Sequence, residues 1–133
     1  MNSKNNRHII KCAKVGKGIS ELTRNDDICG LGISWEVREF IRAIEAHLRR
    51  TQGGMVSITS RKLVQALGHS PCERAGAWLR YKFARFLRCL ERRRVVSRVG
   101  RSTGFVYVVE RGRLERVLED RLQLAMLIEG DMA

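Results

Sequence analysis

Apolar side chains return at helical spacing from residue 34 onward. Val37, Phe40, Ile41, Ile44 and Leu48 share one face, and Ser34 stands before them as an N-cap. The pattern predicts a first helix ending near Arg50. "TQGG" breaks it, and "MVSI" reads as a short strand. Thr59 or Ser60 then caps a short helix, "SRKLVQAL", which Gly68 closes. After the turn "HSP", Ser70 is expected to cap a third helix. Pro71 takes its first position, where a missing N–H costs nothing, and the helix runs to about Arg93. "VVSRV" and "FVYVV" flank the loop "GRSTG" as the strands of a hairpin. Last comes "RLERVLEDRLQLAMLIEG", where Leu114, Val117, Leu118, Leu124, Ala125 and Ile128 gather near one side of a single fourth helix.

The third helix carries the most information. At about 100° per residue, its residues separate into two faces. Trp78, Leu79, Phe83, Phe86, Leu87, Cys89 and Leu90 form one broad apolar stripe. Opposite them fall Arg74, Ala77, Arg80, Tyr81, Ala84, Arg85, Arg88 and Arg92. One side is therefore core and the other basic. Arg93 would point inward if the helix continued, so the run Arg92 to Arg94 is expected at the helix end, as a phosphate clamp rather than a base reader.

Charge sharpens that picture. The 133 residues are 44% hydrophobic and 30% charged, with a formal net charge of +12. Residues 74–101 hold ten Arg or Lys against the single acid Glu91, whereas residues 102–133 are net acidic. A field concentrated in this way attracts polyanions, nucleic acid first among them. Exposed helix faces ordinarily alternate arginine with glutamate at i, i+4, and the third helix lacks those partners. The length suits one domain, with residues 1–32 as a flexible basic arm. No apolar run approaches the roughly 18 residues of a membrane span, and no secretory leader is evident, so a cytoplasmic, nucleoid-associated location is expected.

Other chemistries find little footing. The four cysteines make no CxxC pair and the three histidines complete no zinc spacing, so no metal is expected. All four thiols are read as reduced, with Cys72 and Cys89 as small buried residues of the third helix. His47 and His69 fall near helix ends, where capping and surface roles prevail. Without a glycine-rich phosphate loop or a recognisable nucleophile and base, the chain is read as a non-enzyme that needs no cofactor.

The order α-β-α-α-β-β-α, a mainly α chain with a small β-hairpin (α+β), resembles the winged helix-turn-helix family over residues 34–109. "ITSRKLVQALGHSP" matches the turn, and "FLRCLERRRVVSRVGRSTGFVYVV" the end of the recognition helix and the wing. Leu87, Leu90, Glu91 and Val95 stand where that family places its helix-closing leucines, glutamate and first wing residue. The third helix, at about 23 residues, is longer than the family's usual recognition helix. A C-terminal helix after the wing is similar to archaeal chromatin proteins that dimerise through it.

That resemblance implies a winged domain at 33–110 and a C-terminal amphipathic helix at 111–133. The latter would close the core or build a homodimer through residues 113–129. It also implies double-stranded DNA binding, as a transcription regulator or a nucleoid or replication-associated protein. Arg74, Ala77, Arg80 and Tyr81 would face bases, while Arg85, Arg88 and Arg92 would face phosphates. Arg61 and Lys62, in the first turn of the second helix, would hold another backbone position. Arg98, Arg101 and Ser102 would carry the wing into a minor groove or along the backbone. A ribosome-associated RNA-binding component and a winged protein-interaction module are the alternatives.

Overall fold

The structure is a computed structural model that describes residues 32–100 and 105–132. Five helices and one three-stranded sheet follow in the order α1 (Trp35–Arg50), β1 (Met55–Ile58), α2 (Ser60–Ala66), α3 (Arg74–Arg92), β2 (Ser97–Val99), β3 (Val106–Glu110), α4 (Arg111–Glu119) and α5 (Arg121–Met132). The chain is thus mainly helical, of the α+β class. The expected basic arm, with His8, Cys12 and Cys29, falls outside the described residues apart from Gly32.

The helix starts in the sequence translate into caps. Ser34 Oγ accepts from Val37 N at 3.3 Å, and Thr59 Oγ1 accepts from Lys62 N at 3.0 Å. At the end of α2, Gly68 adopts φ +92°. Gly68 N donates to Gln65 O and His69 N to Val64 O, which satisfies two carbonyls that the helix leaves open.

The core forms where α1 and α3 meet. Phe40 of α1 lies 5.4 Å from Phe83 and 5.2 Å from Phe86, ring centre to ring centre, in tilted and edge-on contacts. Val37, Ile41, Ile44, Leu79, Leu87, Leu90 and Cys89 are buried around them. The sheet closes one side. Its strands are antiparallel in the order β1-β3-β2, with Val56 opposite Val109 and Ile58 opposite Tyr107. All four of those side chains face inward, as a period-2 pattern requires.

Three expectations need correction. The third helix begins at Arg74, not Pro71, and spans 19 residues. Residues Ser70 to Glu73 form a turn in which Ser70 O accepts from Glu73 N at 3.2 Å, while the Ser70 hydroxyl accepts from Cys72 N at 3.3 Å. Cys72 is therefore exposed in a turn rather than buried in a helix, whereas Cys89 is buried as expected. Burial, followed by a hydrogen bond to Asp131, pushes the Cys89 thiol up to about 11.

The single C-terminal helix is two helices. Asp120, at φ −116° and ψ 80°, ends α4. Its carboxylate then accepts from Gln123 N at 3.0 Å, and its carbonyl from Leu124 N at 3.1 Å, which makes it the start of α5. A short acidic side chain that caps the following turn competes with helix continuation, and here it prevails. The bend carries Leu114, Leu124, Ala125 and Ile128 into the core, with Val117 and Leu118 packed partly buried against it. The apolar residues behind the expected dimer thus lie largely within this chain's own interior.

His47 is the third correction. It is buried rather than superficial, and its Nε2–H donates to Ser57 O at 2.8 Å, tying α1 to β1. Burial, the largest influence, lowers its pKa below 6.5, and the positive charges of Lys62, Arg50 and Arg111 act in the same direction against the Ser57 bond.

Polar bonds latch the remaining elements. Arg111 donates to Gly53 O at 2.7 Å, Leu48 O at 3.2 Å and Thr51 Oγ1 at 3.1 Å, so the start of α4 covers the open end of α1. At the other end of α1, the Glu129 carboxylate accepts from Ser34 N at 2.6 Å, pinning α5 there.

A Cβ added at Gly76 would stand 1.9 Å from Ser70 O, a backbone atom that cannot step aside cheaply. Alanine for glycine inside a helix normally stabilises by about 1 kcal/mol. Gly76→Ala is expected to do the opposite, lowering stability in urea unfolding by roughly 1–3 kcal/mol. For His47, the unfolded chain accepts a proton near pH 6.5 that the folded chain resists. Its contribution is intact above that pH and is lost as pH falls towards the lower folded pKa. The urea midpoint should therefore drop between about pH 7.5 and about pH 5.5, with a shallower slope in His47→Gln.

Candidate nucleic-acid interface

The Phe40–Phe83–Phe86 contact fixes which way α3 is turned. With its apolar stripe inward, the opposite side presents Arg74, Tyr81, Arg85 and Arg88 as exposed residues, with Ala77, Arg80 and Ala84 half-buried between them. Arg74, Arg80 and Arg88 make no ion pair among the described residues. Arg85 leans on Tyr81, with its guanidinium 5.9 Å from the ring centre and Nη1 donating to the phenol oxygen at 3.4 Å. This places an uncompensated basic surface along one helix, with alanine and tyrosine interspersed.

Arg61 and Lys62 are exposed at the start of α2, which packs against α3. One of the free amides there is already taken, since Lys62 N donates to Thr59. The side chains remain outward, but the helix end offers less than an uncapped turn would.

The arginine cluster at the end of α3 divides its roles. Arg92 is held by the carboxylate of Asp131 in α5, and Arg93 lies 3.7 Å from the same group. The Arg92 guanidinium, through its hydrogen bond, keeps Asp131 below the usual carboxylate range. The expected phosphate clamp is therefore occupied by an internal anion. Arg93 is the helix C-cap, and Arg94 turns the chain away with φ 63°. Arg94 N donates to Glu91 O and Val95 N to Leu90 O, the hydrogen-bond pattern that Gly68 closes on α2.

On the β2–β3 hairpin, Arg98 lies 3.3 Å from Glu91 and 4.5 Å from the centre of the Phe105 ring. It is thus partly neutralised and stacked, although its side chain stays 41% exposed. Arg101 and Ser102, expected at the hairpin tip, lie outside the described residues.

Sequence reasoning misplaced one residue beside this surface. Trp78, expected within the apolar core stripe, is 46% exposed. Its indole N–H donates to the Glu36 carboxylate at 3.1 Å, and its ring lies 5.7 Å from that of Tyr81. Lys82 Nζ stands 5.4 Å from the Trp78 ring centre. The signal was available, because Trp78 falls next to Arg85 on the helical projection, on the polar side of the stripe.

A separate groove of 420 Å³ between α1 and α4 is lined by Glu45, Leu48, Arg49, Arg111, Glu115, Leu118 and Glu119. It shares no residue with the basic face, and its carboxylates outnumber its guanidinium groups. Among the described residues no group of three His, Cys, Asp or Glu side chains is placed to hold a metal ion, and no helix is long and apolar enough to cross a membrane. No family model matches the chain, and neither a curated protein nor a solved structure matches it.

Because Asp131 competes with any outside anion for Arg92 and Arg93, Asp131→Asn should release both. The variant is expected to elute from a heparin column at higher salt than the parent protein, with an unchanged circular dichroism spectrum. Elution at the same salt would exclude those two arginines from the polyanion-binding surface.

Proposed function

We propose that the chain binds double-stranded DNA as a winged helix-turn-helix protein, with α3 as the recognition helix and the β2–β3 hairpin as the wing. One observation carries this reading. Arg74, Arg80 and Arg88 project from a single helix face whose carboxylate partners are missing among the described residues. Unpaired guanidinium groups in a row raise the local potential, and their fork geometry suits phosphate oxygens and guanine edges. The small residues Ala77 and Ala84 lower the surface between them, which permits close approach of the helix backbone to a groove floor.

The surrounding elements support this arrangement. α2 packs against α3 with Arg61 and Lys62 outward, suited to an adjacent backbone. The sheet order β1-β3-β2 leaves β2 at the edge with all three residues exposed, where a wing can reach a flanking groove. The internal pairing of Arg92 and Arg98 moves the expected centre of contact towards Arg74, Arg80, Arg85 and Arg88. On this reading the protein acts as a transcription regulator or as a nucleoid- or replication-associated protein.

Salt-dependent binding tests this directly. Arg85→Ala and Arg88→Ala should each weaken binding to every duplex sequence and reduce the salt slope by about one phosphate contact. In competition at matched salt, duplex DNA should displace structured RNA, because a narrow, deep major groove excludes a helix from RNA. Unaltered affinity and slope in both variants would take α3 out of the interface. Preferential RNA binding would instead point to a ribonucleoprotein component.

A further inference from the structure

Duplex binding as proposed leaves Trp78 and Lys82, beside Tyr81 and Arg85, without a role. A duplex presents base edges in its grooves, while the flat faces of its bases are covered by their neighbours. An exposed aromatic face therefore has little to stack on along continuous duplex. It gains a partner when a base is unpaired, and such stacking tolerates any base because every base has a π-face.

The geometry around Trp78 suits that use. The indole is almost half exposed, yet it is not loose, since the bond from its N–H to Glu36 fixes the ring edge. Tyr81, 53% exposed, adds a second ring at 5.7 Å and a 36° tilt. Lys82 and Arg85 stand over the two rings, at 5.4 and 5.9 Å from their centres. A base that stacks on either ring takes the face that such a cation covers, and the displaced ammonium or guanidinium is then beside its phosphate, while Glu36 is bonded to the indole. The charge here favours a polyanion over an apolar peptide.

We propose that Trp78, flanked by Tyr81, is a stacking platform for an unpaired base, so that the protein engages DNA at a tail, gap or junction in preference to uninterrupted duplex. This rests on the DNA-binding reading, and it assigns the class of DNA that the surface selects. Lys82 and Arg85 would hold the phosphates on either side of the stacked nucleotide, while the row from Arg74 to Arg88 follows the adjoining duplex.

The test compares a blunt duplex with a duplex carrying a short single-stranded tail, the two matched in total phosphates and titrated at the same salt. The full chain should bind the tailed probe about tenfold more tightly. Trp78→Ala should bring the two affinities together, and Trp78→Phe should keep most of the difference. Tailed DNA should also quench tryptophan fluorescence in the parent protein, and Trp78→Phe, which retains Trp35, should lose that quenching. The fluorescence comparison stands even if the alanine variant fails to fold. Equal affinity for both probes, or quenching that persists in Trp78→Phe, overturns the stacking role and leaves duplex binding intact. Failure to bind either probe overturns both readings.

Discussion

The contact of Phe40 with Phe83 and Phe86 determines what the rest of the molecule can present. Three rings from two helices meet at centre distances of 5.2 to 6.5 Å, in the tilted and edge-on arrangements that aromatic quadrupoles favour. Removing one buried phenylalanine of this kind costs about 3–5 kcal/mol, a large share of a small domain's stability. The same contact sets the rotation of α3 about its own axis. Turning that helix by one residue, about 100°, would bring arginines into the core and phenylalanines into water. Core packing and the orientation of the basic face are therefore a single constraint.

Around this centre, the ends of α1 act as anchor points for the C-terminal helices. Arg111 covers the carbonyls at one end and Glu129 takes an amide at the other. Two acidic residues of this region serve inward tasks, Asp131 on Arg92 and Arg93 and Glu129 on Ser34, whereas Glu115 and Glu119 stay exposed. The net charge of +12 already subtracts these acids, and among the described residues Arg74, Arg80 and Arg88 of α3 stand without an ion-pair partner.

Much of this was legible in the sequence, for identifiable reasons. The i, i+3, i+4 spacing of Val37, Phe40, Ile41 and Ile44, and of Leu79, Phe83, Phe86, Leu87 and Leu90, gave both large helices, because amphipathic periodicity directly reports a buried stripe. Ser34, Thr59 and Gly68 marked ends through local hydrogen bonding that needs no tertiary context. The start of α3 is not legible locally, because Ser-Pro is a good helix opening on its own. Residues 70–73 instead form a turn, closed by Glu73 N to Ser70 O, which sets the Ser70 carbonyl against Gly76. The break at Asp120 is hidden in the sequence, since a leucine periodicity on both sides masks the capping residue between them. Trp78 shows the limit of projection alone, because hydrophobicity placed it inward while its angular neighbours Tyr81 and Arg85 belonged to the outer face.

Arg94 carries one more consequence. At φ 63° it occupies the left-handed conformation that glycine adopts freely and that costs an L-residue about 1 kcal/mol. Its carbonyl accepts from the guanidinium of Arg113, which ties the corner to α4. The equivalent corner after α2 is made by Gly68, so the chain has used the unstrained solution once and declined it here. At the junction of helix and hairpin, charge and backbone comfort therefore pull in opposite directions. Thermostabilising redesign by the usual rule of glycine at helix ends would relax the fold at this corner while removing a cation from the edge of its basic face.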